Sequence, residues 1–271
     1  MYNAHSTATP SRSANPVREI VLGRPLGNER APATVSMAGA QQNEMLRALS
    51  RSDLERMFAD LELVHLPAGK RLHDFGSKYD YTYFPTNAIV SLLYVMEDGA
   101  TTEIGVVGRE GVVGVSLYES ERATCSAVVQ SAGYGYRLKT STLRALFNEG
   151  GSFAQLLMAY TFAMFGQMAQ NVVGGRHCTI EQKLSRWLLE RLDRSLGSEL
   201  KVTQETMASM LGVRRETITM TAGKLQDEGL IQYRRGKVEV IDRTGLELRA
   251  GSCYKAGRVG FDHLQAMSRA N

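Results

Sequence analysis

Cysteine is scarce in this chain: three among 271 residues, Cys125, Cys178 and Cys253, far apart and without a CxxC spacing. That pattern suggests neither a disulfide framework nor a zinc or iron–sulfur site, so all three are expected as free thiols, with no metal and no cofactor. Long apolar runs are missing too. VVGV and LLMAY fall far short of the roughly 20 residues that cross a bilayer. The opening MYNAHSTATPSRSANPVREI has no apolar h-region, so no secretory signal is read and the chain is expected in the cytoplasm, away from membranes. No internal repeat suggests a solenoid or propeller.

What is present is an ordinary globular composition, 43% hydrophobic and 22% charged, in a length that fits two domains and a tail. The formal net charge of +4 is compatible with a nucleic-acid partner without establishing one. Residues 1–42, rich in Ala, Ser, Thr, Pro and Asn, read as a disordered tail. From Asn43, Met45, Leu46, Leu49, Leu54, Met57, Phe58 and Leu61 make an apolar stripe over two short helices, with Ser52 or Asp53 as the second cap. Short β segments follow in LVHLPAGKRL, AIVSLLYVM, TTEIGVV and SAVVQSAGYGYRL, and Asp98-Gly99 marks a hairpin turn. Residues 43–149 are therefore expected as an antiparallel β-roll, a small jelly roll.

Residues 150–175 carry the longest helical pattern. Met158, Phe162, Phe165, Ala169 and Val172 form a coiled-coil-like seam, beside a second stripe of Leu157, Tyr160, Met164 and Met168. One stripe can cover the roll while the other meets an identical helix, so helix 152–173 is expected to make a homodimer; both stripes as core of one chain is the alternative. Another helix begins at the capping box Thr179 to Gln182, places Ile180, Leu184, Trp187, Leu188 and Leu192 inward, and ends at Leu196-Gly197.

In MASMLGVRRETITMTAGKL, Thr203 caps a helix that Gly212 ends, because glycine takes the left-handed conformation of a sharp turn. Ala208, four residues before that glycine, and Ile218, six after it, sit where two helices cross closely, the helix-turn-helix spacing. Leu230–Tyr233 and Val238–Ile241 then flank RRGK, a basic hairpin, which makes residues 176–250 a winged helix-turn-helix and 251–271 a C-terminal extension. The outward residues Thr203, Arg214, Arg215, Glu216, Thr219 and Met220, with Arg234, Arg235 and Lys237 of the wing, are the candidate DNA-binding set. Arginine can pair with guanine and glutamate with cytosine, while the wing's cations suit phosphates.

The order roll, long helix, then VTQETMASMLGVRRETITMTAGKLQDEGLI resembles the Crp/Fnr family of bacterial transcription regulators over roughly residues 43–250. The resemblance implies an α+β chain with a cyclic-nucleotide-binding-like roll, acting as a homodimer on a palindromic operator in double-stranded DNA, with RNA polymerase as a further partner. It puts Arg215 and Glu216 at the family's reading pair and Met220 where a third reader, commonly arginine, belongs. It also implies a degenerate effector cassette. Aligned on Gly114 and Ser126, Val115 stands where the ribose-binding glutamate belongs and Cys125 where the phosphate-binding arginine belongs, so cyclic AMP is not the expected effector. Arg109 or Arg122 would have to reach a phosphate by another route. The N-terminal cysteine cluster of the oxygen-sensing branch is absent from the tail, and His65, His73 and His177 are expected as satisfied structural histidines rather than haem ligands. Cys125 near Arg122 offers a redox-sensor reading beside that of a buried strand residue. A cupin-like metal-dependent enzyme with an appended winged domain is the alternative function, against which stands the lack of an HxH pair. A winged domain that binds protein rather than DNA is a third reading.

Overall fold

The structure is a computed structural model and describes residues 35–96, 101–195 and 197–255. Its helices are α1 (Met37–Ala40), α2 (Glu44–Arg47), α3 (Arg51–Phe58), α4 (Thr140–Asn148), α5 (Gly151–His177), α6 (Ile180–Leu192), α7 (Gln204–Leu211), α8 (Arg215–Asp227) and α9 (Arg243–Ala250). Its strands are β1 (Glu62–Leu66), β2 (Arg71–His73), β3 (Tyr81–Pro85), β4 (Ile89–Val95), β5 (Thr101–Val107), β6 (Ser126–Ser131), β7 (Gly133–Lys139), β8 (Glu199–Lys201), β9 (Ile231–Arg234) and β10 (Lys237–Val240).

Two antiparallel sheets, ordered β1-β7-β3 and β2-β6-β4-β5, make the roll. Strand β4 is buried over its first five residues rather than alternately, and the partners explain why. Val90 and Leu92, with Ala127 and Val129 of β6, face the roll interior. Leu93 and Val128 face the other way, into the core of the winged domain. The second sheet is thus covered on both sides, which a strand can support only with near-continuous apolar sequence.

Helix α5 runs beside β5, the outer strand of that sheet. Gln167 Oε1 accepts from the Val106 N–H at 3.1 Å, and Asn171 Nδ2 donates to the Ile104 carbonyl at 2.9 Å, so helix side chains satisfy backbone groups at the sheet edge. Tyr160 donates to the Val112 carbonyl at 2.9 Å. Leu157, Tyr160 and Met164 are buried, whereas Phe162 and Phe165 are 70% and 71% exposed and Met158 and Val172 are also open. The two stripes have separated as expected, one on the roll and one outward. The helix reaches His177, beyond the expected end near residue 173, because Gly174 and Gly175 are accommodated within it.

Several local expectations need correction. Residues 36–42, placed in the tail, form α1 and its cap: Ser36 Oγ accepts from the Gly39 N–H, and the Tyr136 hydroxyl donates to the Ser36 carbonyl. The rest of that tail, residues 1–34, lies outside the described residues, as do Asp98-Gly99, Leu196 and most of the C-terminal extension. Ser50, not Ser52 or Asp53, caps α3, since its hydroxyl reaches the Asp53 N–H. Helix α6 stops at Leu192, short of Leu196.

The expectation of three free thiols also fails. Cys178 and Cys253 form a disulfide across 75 residues, while Cys125 is free and buried. Helix α9 packs on α6 and brings the two cysteines together, a proximity that sequence spacing does not carry.

Candidate nucleic-acid interface

Helix α7 starts at Thr203, whose Oγ1 accepts from the Thr206 N–H at 3.1 Å. It ends at Gly212 with φ 64°, a left-handed cap that any side chain would strain, and the Val213 N–H then donates to the Ala208 carbonyl at 3.0 Å. Met207, Ala208, Ile218, Ala222 and Leu225 fill the crossing of α7 and α8. Burial of these positions forces Arg215, Glu216, Thr219 and Met220 onto the opposite, solvent face of α8, with Arg214 exposed at the N-cap. Thr219 Oγ1 donates to Gln204 Oε1 at 2.9 Å, which ties the start of α7 to the outer face of α8.

The wing is a three-stranded sheet, β8-β10-β9. Its tip, Arg235-Gly236, has φ 49° and 78°, a two-residue turn with both residues left-handed. Arg235 is the only non-glycine residue with positive φ among the described residues. The Val202 N–H donates to the Gly236 carbonyl at 2.9 Å, so the tip is held against the start of α7. Arg214, Arg215, Arg234 and Arg235 are exposed and in no ion pair among the described residues, and α8 and the wing tip carry them on one domain. Lys237 differs: it pairs with Glu199 of β8 at 2.9 Å, so its charge is partly spent within the wing. Sequence reasoning missed β8, whose three residues are too short to show a period, and with it both this pairing and Lys201, which lies opposite Lys237 in the ladder.

The effector cassette holds no carboxylate or guanidinium at the family positions. Gly114 has φ 81°, Val115 packs against the roll core, and Ser126 Oγ accepts from the Phe75 N–H at 3.1 Å. Cys125 is buried among apolar neighbours, and that burial pushes its thiol pKa up, which disfavours the thiolate a redox sensor needs. Arg122 turns back onto the carbonyls of Ser120 and Glu121, and Arg109 faces Glu44 at 3.5 Å. Neither is placed on the cassette. Among the histidines, His65 and His177 are exposed. His73 is buried edge-on against Tyr79, and neither ring nitrogen has a hydrogen-bond partner among the described residues, so it is not the satisfied histidine expected. Desolvation lowers its pKa to about 4. No group of three His, Cys, Asp or Glu among the described residues is placed to hold a metal ion, and no described helix is long and apolar enough to cross a membrane.

Residues 182–249 match the Crp-like helix-turn-helix domain. The transcriptional regulator SdrP of Thermus thermophilus is 33% identical over 79 residues, covering 27% of this chain and 39% of that regulator, so the match spans less than half of its length. Two solved structures share the architecture. A chain assigned to the crp/fnr family of transcriptional regulators from Eubacterium rectale has a TM-score of 0.62 at 17% identity, covering 78% of this chain and 99% of that one. FixK2 from Bradyrhizobium japonicum has a TM-score of 0.62 at 15% identity, covering 71% and 98%. At these identities the structural likeness is one of fold, and it extends over roll, long helix and winged domain alike. Neither the domain match nor these relatives lends support to the enzymatic alternative. Residues 182–249 are thus a Crp-like helix-turn-helix domain, and the chain as a whole is similar in fold to Crp/Fnr-family regulators.

Proposed function

We propose that this chain is a sequence-specific transcription regulator that binds a two-half-site operator in double-stranded DNA as a homodimer, works in the cytoplasm on RNA polymerase, and takes an effector other than cyclic AMP. The observation that carries it is the exposed Arg215–Glu216 face of α8 beside Arg234 and Arg235 of the wing, which are in no ion pair among the described residues. A helix of about 13 residues fits the major groove, where arginine reads guanine and glutamate reads cytosine, while a basic hairpin meets the adjacent backbone. The exposed Phe162–Phe165 seam of α5 supplies the surface for a second copy. Val115 and Cys125 in the cassette support an effector chemistry without a ribose–phosphate pair, and a thermal-shift titration with cyclic AMP should leave the melting midpoint unmoved.

Selection of bound fragments from random double-stranded DNA tests the reading. A palindromic consensus is expected, with half-sites one helical turn or a small multiple apart. Arg215→Ala should cost roughly 1–3 kcal/mol at one base position and relax specificity there, whereas Arg234→Ala should weaken all sequences about equally and reduce the salt slope by about one. An unchanged preference in Arg215→Ala overturns the docking. Enrichment of no sequence, or binding without salt dependence, favours a protein-binding winged domain instead.

A further inference from the structure

Cys178 and Cys253 occupy two points that bracket the winged domain. Cys178 is the residue at which α5 stops: its N–H donates to the Gly174 carbonyl at 3.0 Å, its own backbone is extended, and the next residue, Thr179, caps α6. It is therefore the hinge between the long helix and everything that carries the candidate DNA contacts. Cys253 lies just past α9, in a short helical segment anchored by its neighbour Tyr254, whose buried ring packs in the winged-domain core and whose hydroxyl donates to Asp193 Oδ2 at 2.8 Å. The 75-residue loop closed by the bridge contains α6, the helix-turn-helix, the wing and α9.

Access and surroundings separate this pair from Cys125. Both bridge residues are partly exposed, whereas Cys125 is buried in the roll. A methyl group on Gly174 would meet Arg186 Nη1 at 2.8 Å and Cys178 Sγ at 3.7 Å, so a guanidinium and this sulfur share one small patch beside the helix end. Glu190 faces the same guanidinium at 3.6 Å, and Lys183 Nζ donates to the Gly175 carbonyl at 2.6 Å. A chain that acts on DNA works among the small thiols that keep cytosolic cysteines reduced, where disulfides serve sensing or catalysis rather than permanent bracing.

We propose that Cys178 and Cys253 are a thiol–disulfide switch: bridged, they fix the α5–α6 hinge and hold the recognition helix for DNA; reduced, they release it. The reaction partner is a small dithiol or thiol. One of its thiolates attacks a bridge sulfur, the S–S bond breaks, and the departing thiolate takes up the proton the attacking thiol gave away. The second thiol then resolves the mixed disulfide, so the protein gains two electrons and two protons and the reductant leaves as a disulfide. Constraint of a loop this long stabilises the domain that it encloses, and a freed hinge costs the dimer its fixed spacing of reading helices.

The inference rests on the DNA-binding reading, and the test separates the two. Full-length protein is prepared oxidised and after dithiothreitol; one portion of each is alkylated under denaturing conditions for the thiol count, and native portions are measured for melting midpoint and affinity for the selected DNA. Reduction should expose two further thiols, lower the melting midpoint and weaken DNA binding by about fivefold or more. Cys178→Ser and Cys253→Ser should each match reduced wild type and ignore dithiothreitol, while Cys125→Ser keeps the full response. Equal DNA affinity and equal melting in the two wild-type forms overturn the switch, as does an undiminished dithiothreitol response in the double serine variant. If neither form selects DNA, the DNA-binding reading falls, and the melting comparison alone decides whether the bridge braces the domain.

Discussion

The Arg191 guanidinium of α6 closes onto the Glu103 carboxylate of β5, with the two side chains 2% and 6% exposed, so a buried ion pair joins the winged domain to the roll. Gln130 Oε1 accepts from Arg191 Nε at 2.8 Å, Ser91 Oγ donates to Glu103 at 2.6 Å, and the guanidinium lies 3.5 Å from the centre of the Trp187 ring. Removing one partner strands the other charge in a dry site, which costs about 3–5 kcal/mol, whereas an apolar replacement of both is often neutral. Glu103→Leu should therefore lose that much stability in urea unfolding, and Glu103→Leu with Arg191→Met should regain most of it. Equal losses in the single and double variants would show that pairing adds nothing beyond packing.

The exposed seam of α5 gives a separate test. Phe165→Glu puts a charge on a side chain already open to solvent within the protomer, so protomer stability should change by no more than about 0.5 kcal/mol. Sedimentation should nevertheless shift from dimer to monomer. A variant that sediments as wild type does would place the interface elsewhere.

Burial of His73 makes folding acid-sensitive. Its folded pKa of about 4 lies below the ordinary 6.5, so between those values the unfolded chain binds a proton that the folded chain refuses. Stability is full above 6.5 and declines as pH falls toward 4, by roughly 3 kcal/mol in total. Urea unfolding at pH 7 and pH 4.5 should show a smaller acid loss in His73→Leu than in wild type. Identical losses would mean that the imidazole takes its proton in the folded state.

Arg235 holds a left-handed conformation that costs an ordinary residue roughly 1–2 kcal/mol and that asparagine tolerates better. Arg235→Asn should stabilise the wing by about 0.5–1 kcal/mol and, on the proposed docking, weaken every DNA sequence alike. The combination, read by urea unfolding beside affinity, would mark a position where a phosphate contact is kept against the preference of the turn. A destabilised variant would show that the arginine serves the hairpin itself.

Local signals carried much of this fold. The Thr179–Gln182 capping box, the Gly212 turn and the two stripes of α5 each rest on spacings within a few residues, and each stands where those spacings put it. Strand β3 escaped notice because Pro85 closes a run whose partner, β7, lies about 50 residues away. Arg191 sits among charged neighbours on α6 and reads as one more solvated arginine until Glu103, 88 residues earlier, is brought beneath it. The Cys178–Cys253 bridge was hidden for the same reason: only the docking of α9 on α6 makes it local.

Met220 is 71% exposed one turn beyond Glu216 on α8, and on the proposed docking it would hand one base position to chemistry unlike that of its neighbours. A thioether gives no strong donor and accepts weakly, so on the proposed docking its discrimination comes from apolar contact, and the apolar feature in the major groove is the 5-methyl of thymine. Deoxyuracil in place of thymine at that position keeps every hydrogen bond yet removes the feature being read, and 5-methylcytosine restores it on a different base pair. On the proposed docking, the operator of this chain would be sensitive at one point to the methylation of DNA, where an arginine there would respond to guanine alone.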